Sequence, residues 1–506
     1  MADTFLHGVE VLEIDTGPRP IQTVRSSVIG IVGTAPDAEG ATAATLTAGT
    51  VAADSAVDYT AVQTGTSGNN IRIRYVDPGQ SSATLAVSVS GNDITVTLGT
   101  DADGIVSSTA TDVVTAVNNS AEASELISAA LPDGSDGAGL TRARGYRSLS
   151  GGEAEPFPLH TPTLVAGSRT KAARLGTAGT LYRALEGIFD QIGAVVIVVR
   201  VEEGDDEQQT IANVVGGANA QTGKLEGVHA LPGAKSVVGY QPRILAAPGF
   251  THQRESGRRN AVVAELVGIA DRMRAIIVVD GPNTTDSAAQ QYANDWGSAR
   301  VYMHDPWYQV LADDGSYADE PSSARIAGII ARTDNDQGFW WSPSNKPVNG
   351  IVGTSRAIDF TLGDANARAN LLNEGGIATT IHQDGYRLWG NRTLTDDTQW
   401  MFLSVRRTAD MINDSILRAH LWAVDRNITK TYVEDVEEGV NAYIASLKAQ
   451  GALLGGRCWA DPDLNTPANI QQGKVYFNFE FTPPYPAEHI TFRSMLVNDY
   501  IEEVFD

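Results

Sequence analysis

The chain has 506 residues, 42% of them hydrophobic and 19% charged, a globular composition with enough length for several domains rather than one core. A net charge of -24 argues against nucleic acid or an anionic membrane as the main partner, because both need basic patches. The single cysteine, Cys458, leaves no internal disulfide, and the longest apolar run, Ile192 to Val199, is far too short to span a bilayer.

In chain order, Met1-Ala2-Asp3-Thr4 carries neither the positive region nor the apolar segment of a signal peptide. The first predicted element is a strand, Val9-Glu10-Val11-Leu12-Glu13-Ile14, with no neighbour of its own to pair with. It stops at Asp15-Thr16-Gly17-Pro18-Arg19-Pro20, where two prolines hold the backbone extended and remove amide donors. Ser27 to Gly33 then reads as a buried strand. From about 40 to 152 the texture changes to Ala, Thr, Ser, Gly and Asp, with no lysine. Period-two runs persist there at Ile71–Tyr75, Leu85–Val89 and Ile94–Leu98, the last two joined by the hairpin turn Ser90-Gly91-Asn92-Asp93. Thr109 to Val117 reads as a helix. The segment is expected to be a small α+β domain inserted at the surface of a larger one.

The main body resumes near Phe157. Thr180 can cap a helix whose Leu181, Leu185, Ile188, Phe189 and Ile192 follow helical spacing. Ala194 to Val201 is an uninterrupted apolar strand of the kind covered on both faces. Further strands are predicted at Arg243–Ala247, Ala275–Asp280 and Ala299–His304, with helical patterns between them, notably Asn260–Met273. Such alternation implies a mostly parallel α/β sheet. Beyond about Asn391 the spacing predicts helices over Thr398–Asn427 and Val436–Gln450, then a strand with Val475, Phe477, Phe479 and Phe481 on one face. After Pro483-Pro484-Tyr485-Pro486 comes a last predicted strand, Ile490–Val497, either the second arm of a wide hairpin or a segment that diverges. Strands with unpaired edges at both ends invite pairing with another chain, so the chain reads first as an assembly protein.

Three chemistries compete with this reading. Gly353-Thr354-Ser355-Arg356-Ala357 and Asp15-Thr16-Gly17 resemble parts of a subtilisin-type triad, but the only His-Gly pair, His7-Gly8, stands before Asp15, and no His-Gly-Thr lies between Asp15 and Ser355. Asp280-Gly281-Pro282-Asn283 and His304-Asp305-Pro306-Trp307 fall at strand C-terminal ends, where nucleotides bind in α/β sheets. Gly176-Thr177-Ala178-Gly179-Thr180 lacks the lysine of a phosphate loop, so these carboxylates read as turn and capping residues. The eight histidines are scattered, and His382-x-Asp384 reads as a surface turn rather than a metal site. Phe339-Trp340-Trp341 and Trp307-Tyr308 read equally as contacts for a carbohydrate or partner and as packing beneath a loop. Arg406-Arg407 beside Asp410 is either a solvated helical face or a basic patch for an acidic partner.

The order of motifs resembles contractile tail sheath proteins of myophages and R-type tailocins. The residues that carry it are His7-Gly8-Val9-Glu10-Val11, Gly17-Pro18-Arg19-Pro20-Ile21, Val28 to Ala35, Phe157-Pro158-Leu159-His160-Thr161-Pro162, Gly179 to Phe189, Ala299 to Tyr302, Asp305-Pro306-Trp307 and Phe477 to Phe481. The insert, with Gly65-Thr66-Ser67-Gly68-Asn69-Asn70-Ile71, resembles a module of longer sheath proteins that compact ones lack. The expected fold is an α/β core, mostly parallel sheet with helices, plus an inserted α+β domain and an α+β C-terminal domain with extended terminal β-arms. The expected divisions are an N-terminal arm 1–25, a body of 26–39 with 153–390, the insert 40–152, a C-terminal domain 391–487 and a C-terminal arm 488–506.

The resemblance implies a structural subunit, without catalytic or metal residues or a cofactor. It would stack as hexameric rings around a tail tube and contract to drive the tube through a bacterial envelope. The implied partners are further copies, the tube protein, and baseplate and tail terminator proteins, in a virion tail or tailocin particle assembled in the host cytoplasm. Nucleic acid and membrane insertion are not implied. On this reading Val9, Val11, Ile14, Phe492, Met495 and Val497 lie in intersubunit sheets, Gly17, Pro18 and Pro20 form the hinge, and Arg406 and Arg407 face the tube. Another phage assembly protein (tube, capsid or surface-layer type) and an α/β hydrolase stay open as alternatives.

Overall fold

The computed structural model describes residues 20–254, 257–312, 314–498 and 500. The chain divides into two compact units: Met1–Pro36 with Leu159–Ala173 and Thr177–Asp506, and Asp37–Pro158 with Arg174–Gly176.

The larger unit is built on a six-stranded sheet. Its strands are β1 (Ile29–Thr34), β2 (Thr163–Ala166), β3 (Val195–Val201), β4 (Ile244–Ala246), β5 (Ile276–Asp280) and β6 (Val301–His304). The order is β6-β5-β4-β1-β3-β2, parallel except for the antiparallel edge strand β2. Continuous apolar runs are what a doubly covered sheet requires, and alternate residues of β1 show why. Val32 enters a core with Leu245, Ile277 and Leu266, the last from helix α2 (Ala261–Met273). Gly33 instead lies against Thr180 and Leu181 at the start of helix α1 (Leu181–Phe189), where a Cβ would come within 2.3 Å of Thr180 Oγ1. The expected capping role of Thr180 is corrected: its hydroxyl makes no bond to its own helix and accepts from the Thr34 amide at 3.2 Å. Asn260 does cap α2, accepting from the Val263 amide.

Helices α3 (Asp286–Ala293) and α4 (Ser323–Asp336) follow, α4 packing on α1 and on β1, β4 and β5. The predicted helix over Thr398–Asn427 is shorter, α5 spanning Leu403–Ala419. A turn at Asp397–Trp400 precedes it, and after His420 the backbone passes through one 3-10 turn to extended Val424. Helix α6 (Lys430–Ala449) begins earlier than the apolar spacing indicated, because Thr429 caps it ahead of an acidic first half. Two final strands, β7 (Gly455–Ala460) and β8 (Phe477–Thr482), pair antiparallel with Cys458 opposite Phe479. Phe477, Phe479 and Phe481 pack with Val440, Tyr443 and Ile444 of α6. The partner of this strand therefore precedes it in the chain, and the segment after Pro483 diverges.

The smaller unit has its own core, shared by a three-stranded sheet (Ala43–Ala48, Val57–Thr64, Ile127–Ala130), a four-stranded sheet and the helix Ala110–Asn119. The four-stranded sheet runs in the order Ala86–Ser90, Asp93–Thr97, Arg72–Val76, Arg144–Ser148. Gly91, at a φ of 62°, forms the turn of its hairpin. Thr109 and Asp112 close the helix N-terminus as a reciprocal capping box.

Candidate functional site

The crevice beyond the C-terminal ends of β5 and β6 is where a parallel sheet offers a ligand site. Here it is filled by the protein's own polar side chains. Asp280 is fully buried and accepts from the Ser323 amide and hydroxyl, both at 2.7 Å, and from Thr251 at 3.2 Å. It thereby occupies the N-terminus of α4, where an anion would otherwise sit. Burial pushes its carboxyl above the usual range, and the Ser323 bonds oppose that shift. His304 is equally enclosed, between Ser322 at 3.0 Å and Thr380 at 2.9 Å, and burial lowers its imidazole to about 3.

The two loops singled out from sequence meet each other rather than a substrate. Asn283 accepts from the Trp307 amide at 3.0 Å, and Trp307 Nε1 donates to the Gly281 carbonyl at 3.0 Å. Asp305 pairs with Arg356, and Asp286 is held by Arg356 at 2.6 Å and Arg368 at 2.8 Å. The Arg368 bond is the main reason the Asp286 carboxyl lies below its ordinary range. Ser355 donates to Asn283 and not to a histidine, while Asp15 lies outside the described residues. These contacts leave no nucleophile–base pair there among the described residues.

A second polar constellation was not legible as a unit in the sequence. Helix α5 turns Asp410 and Asp414, one turn apart, into the protein instead of toward water. Asp410 takes Arg300 at 2.6 Å and Arg406 at 2.9 Å. Asp414 takes the buried Arg243 and, at 2.9 Å, Arg418. Arg407 is 3% exposed, forks onto Asp334 of α4, and also donates to the Ser26 carbonyl at 3.2 Å. The expectation that Arg407 faces a partner is corrected, since its guanidinium is enclosed within its own protomer. Arg406 is likewise engaged, with Asp410 and with the Trp400 ring at 4.3 Å. The result is a charged seam that fastens α5 to the sheet and to α4. The available signal was a pair of carboxylates at i,i+4 interrupting the apolar face of a long helix.

The C-terminal segment is the surface that stands out. Glu488 is gripped through both oxygens by Arg392, at 2.8 and 2.5 Å, which fixes the point where the chain leaves the body. Beyond it, residues 490–497 join no strand ladder among the described residues, and Phe492 is 92%, Met495 84% and Leu496 98% exposed. Val497 is half exposed. Side chains of this kind are ordinarily buried, so the segment carries apolar surface and unpaired backbone together. At the other end, Val9, Val11, Ile14, Gly17 and Pro18 lie outside the described residues. Pro20 is exposed, and the chain after it is docked: Ile21 and Val24 pack with the aromatic cluster of β8 and α6, and Thr23 bonds Tyr443 at 2.9 Å.

Comparison with known proteins follows the same segments. The phage tail sheath protein central domain matches residues 223–394, the phage tail sheath C-terminal domain 395–496, and the tail sheath protein Gp18 domain III N-terminal region 132–201. A prophage major tail sheath protein of Pseudomonas aeruginosa is 45% identical, over 70% of this chain and 90% of that one. The tail sheath protein of Escherichia phage P2 is 33% identical, over 70% of this chain and 89% of its own. That of Burkholderia phage BcepMu is 30% identical over 99% and 98%, a span that includes the insert. Among solved structures, the contracted helical sheath of the anti-feeding prophage aligns with a TM-score of 0.53 and 25% identity, over 67% of this chain and 88% of that one.

Proposed function

This chain belongs to the phage tail sheath family, a structural family and not an enzyme one, and we propose that it polymerises as stacked hexameric rings around a tail tube and contracts to drive that tube through a bacterial envelope. The observation that carries the proposal is the exposed, unpaired segment beyond Glu488. A lone protomer gains nothing from holding Phe492, Met495 and Leu496 in water, whereas a neighbour's open sheet edge would take up both their side chains and their backbone groups. Phe492, Met495 and Val497, with Val9, Val11 and Ile14 from the other end, are the proposed intersubunit strands, and Gly17, Pro18 and Pro20 the pivot before the docked residues.

Repeating head-to-tail contacts of this kind build a helical array rather than a closed dimer. The extended array is proposed to be a kinetic trap that relaxes to a lower-energy contracted one, so that contraction needs no nucleotide. The charged seam of α5 supports movement of the body as one piece, leaving the change to contacts between subunits and the arms as tethers. The proposed partners are further copies, the tube protein, and baseplate and tail terminator proteins, in a virion tail or tailocin particle assembled in the host cytoplasm. Deleting the residues after Glu488 is expected to yield soluble monomer in negative-stain electron microscopy and in sedimentation, where the full chain forms ridged hollow tubes. Tubes of ordinary length from the truncated chain would refute the reading.

A further inference from the structure

The backbone between β8 and the exposed arm is built differently from both. Residues 483–486 are Pro-Pro-Tyr-Pro, and prolines at three of these four positions end the ladder of β8, since they lack amide donors, and stiffen the strap that follows. From Ala487 to Asn498 there is neither proline nor glycine, so this stretch can join a strand ladder throughout. Burial changes at the same place. Pro483 is buried, Pro484, Pro486 and Glu488 are half-buried, and residues 489–498 are all exposed. Glu488 is therefore the last residue held by the body and stands at the start of the stretch that can pair.

One short segment of the body holds the strap, residues 392–402. Arg392, 96 residues earlier in the chain than Glu488, donates from Nε and Nη2 to its two carboxylate oxygens at 2.8 and 2.5 Å. Phe402 meets the Tyr485 ring edge-on, with 6.4 Å between centroids. Arg392 and Phe402 are themselves joined by a backbone bridge just ahead of α5. The strap rests at two points on the part of the body that the charged seam fastens to the sheet.

A guanidinium forked onto both oxygens fixes direction as well as distance, which a one-point contact does not. The pair contributes little to folding, because both side chains are about a third exposed. Its effect on position is large. Ten extended residues reach about 33 Å, so a turn at Glu488 sweeps the far end of the arm through a distance of that order.

Resting on the assembly reading above, we propose that Arg392 is a positioning residue, whose fork on Glu488 aims the C-terminal arm in one direction before a neighbouring copy is met. An arm presented in this way loses less freedom when a second copy captures it. An unlatched arm is competent only in the fraction of its orientations that face the acceptor, and apparent affinity falls by that fraction.

The test uses the full-length chain in a C458A background, with nitroxide labels at A445C, an exposed position of α6, and S494C on the arm. Pulsed electron–electron resonance on monomer, below the concentration at which tubes form, is expected to give one narrow distance band. R392A should spread that band, and the exchanged pair R392E/E488R should narrow it again. Without labels, R392A should raise the critical concentration for tubes about threefold to fivefold, the factor an exposed pair supports. R392K keeps the charge without the fork and should fall between, while R392E/E488R returns toward the parent. The urea midpoint of each variant should stay within about 0.3 M of the parent, since the body is untouched. Parent and R392A bands of equal width, or equal critical concentrations, overturn this inference and leave the assembly reading standing. A larger fall in the R392A urea midpoint assigns Arg392 to the stability of the body and overturns it too. Tubes of ordinary length from the chain truncated after Glu488 overturn the assembly reading, and this inference with it.

Discussion

Replacing Asp334 by alanine removes the carboxylate that faces Arg407, and both side chains are almost wholly enclosed, at 1% and 3% exposure. The guanidinium then keeps only the Ser26 carbonyl as a partner. Stranding a buried charge in this way costs about 3–5 kcal/mol. With a urea slope of about 3 kcal/mol per molar, the midpoint of the body should fall by about 1–1.7 M. Tryptophan fluorescence reports this transition cleanly, since all eight tryptophans lie between residues 296 and 459 and none in the insert. The double variant R407M/D334L removes both charges together. It should recover to within about 1 kcal/mol of the parent, the remaining deficit being the unpaired Ser26 carbonyl. A D334A midpoint shift below about 0.3 M, or a double variant weaker than the single one, would show that the pair is not an enclosed fastener.

His304 gives a pH dependence of definite sign. Its imidazole is held neutral down to about 3, against an ordinary value of 6.5. The stability it contributes is therefore complete above pH 6.5 and is lost as pH falls through that window, by about 1.4 kcal/mol per unit. Urea midpoints measured from pH 7 to pH 4 should fall more steeply for the parent than for H304N, and parallel profiles would remove His304 as the source. In G33A, the new Cβ meets Thr180 Oγ1, and overpacking of this kind costs about 1–3 kcal/mol. Adding T180A should recover part of that loss in the same unfolding assay; no recovery would place the strain elsewhere.

Much of the body could be read locally. The run Ala194–Val201 declares a doubly covered strand, Asn260 and the apolar spacing after it declare α2, and Gly91 in its turn declares the insert hairpin. Each depends on backbone stereochemistry and periodicity within a few residues. The long helical reading of Thr398–Asn427 overran because helix propensity continues past the points where Phe402 and His420 end α5. The strand Gly455–Ala460 is not legible in the sequence because its glycines and Arg457 lack a strand pattern, and pairing with the aromatic strand creates it.

The polar constellations divide along the same line. Arg406 and Arg407 are visible as a basic pair in sequence, yet which charge each one meets depends on Asp410, one turn away, and on Asp334, which lies 73 residues earlier in the chain. The amino-acid sequence by itself determined the α/β alternation, the lysine-free insert and an apolar segment near the C-terminus, because composition and period are local properties. Only the tertiary structure decided that the sheet crevice is filled by Asp280 and His304, that Arg407 is enclosed, and that Arg392 fixes the chain at Glu488. Those outcomes depend on distance in space, which a one-dimensional pattern does not contain.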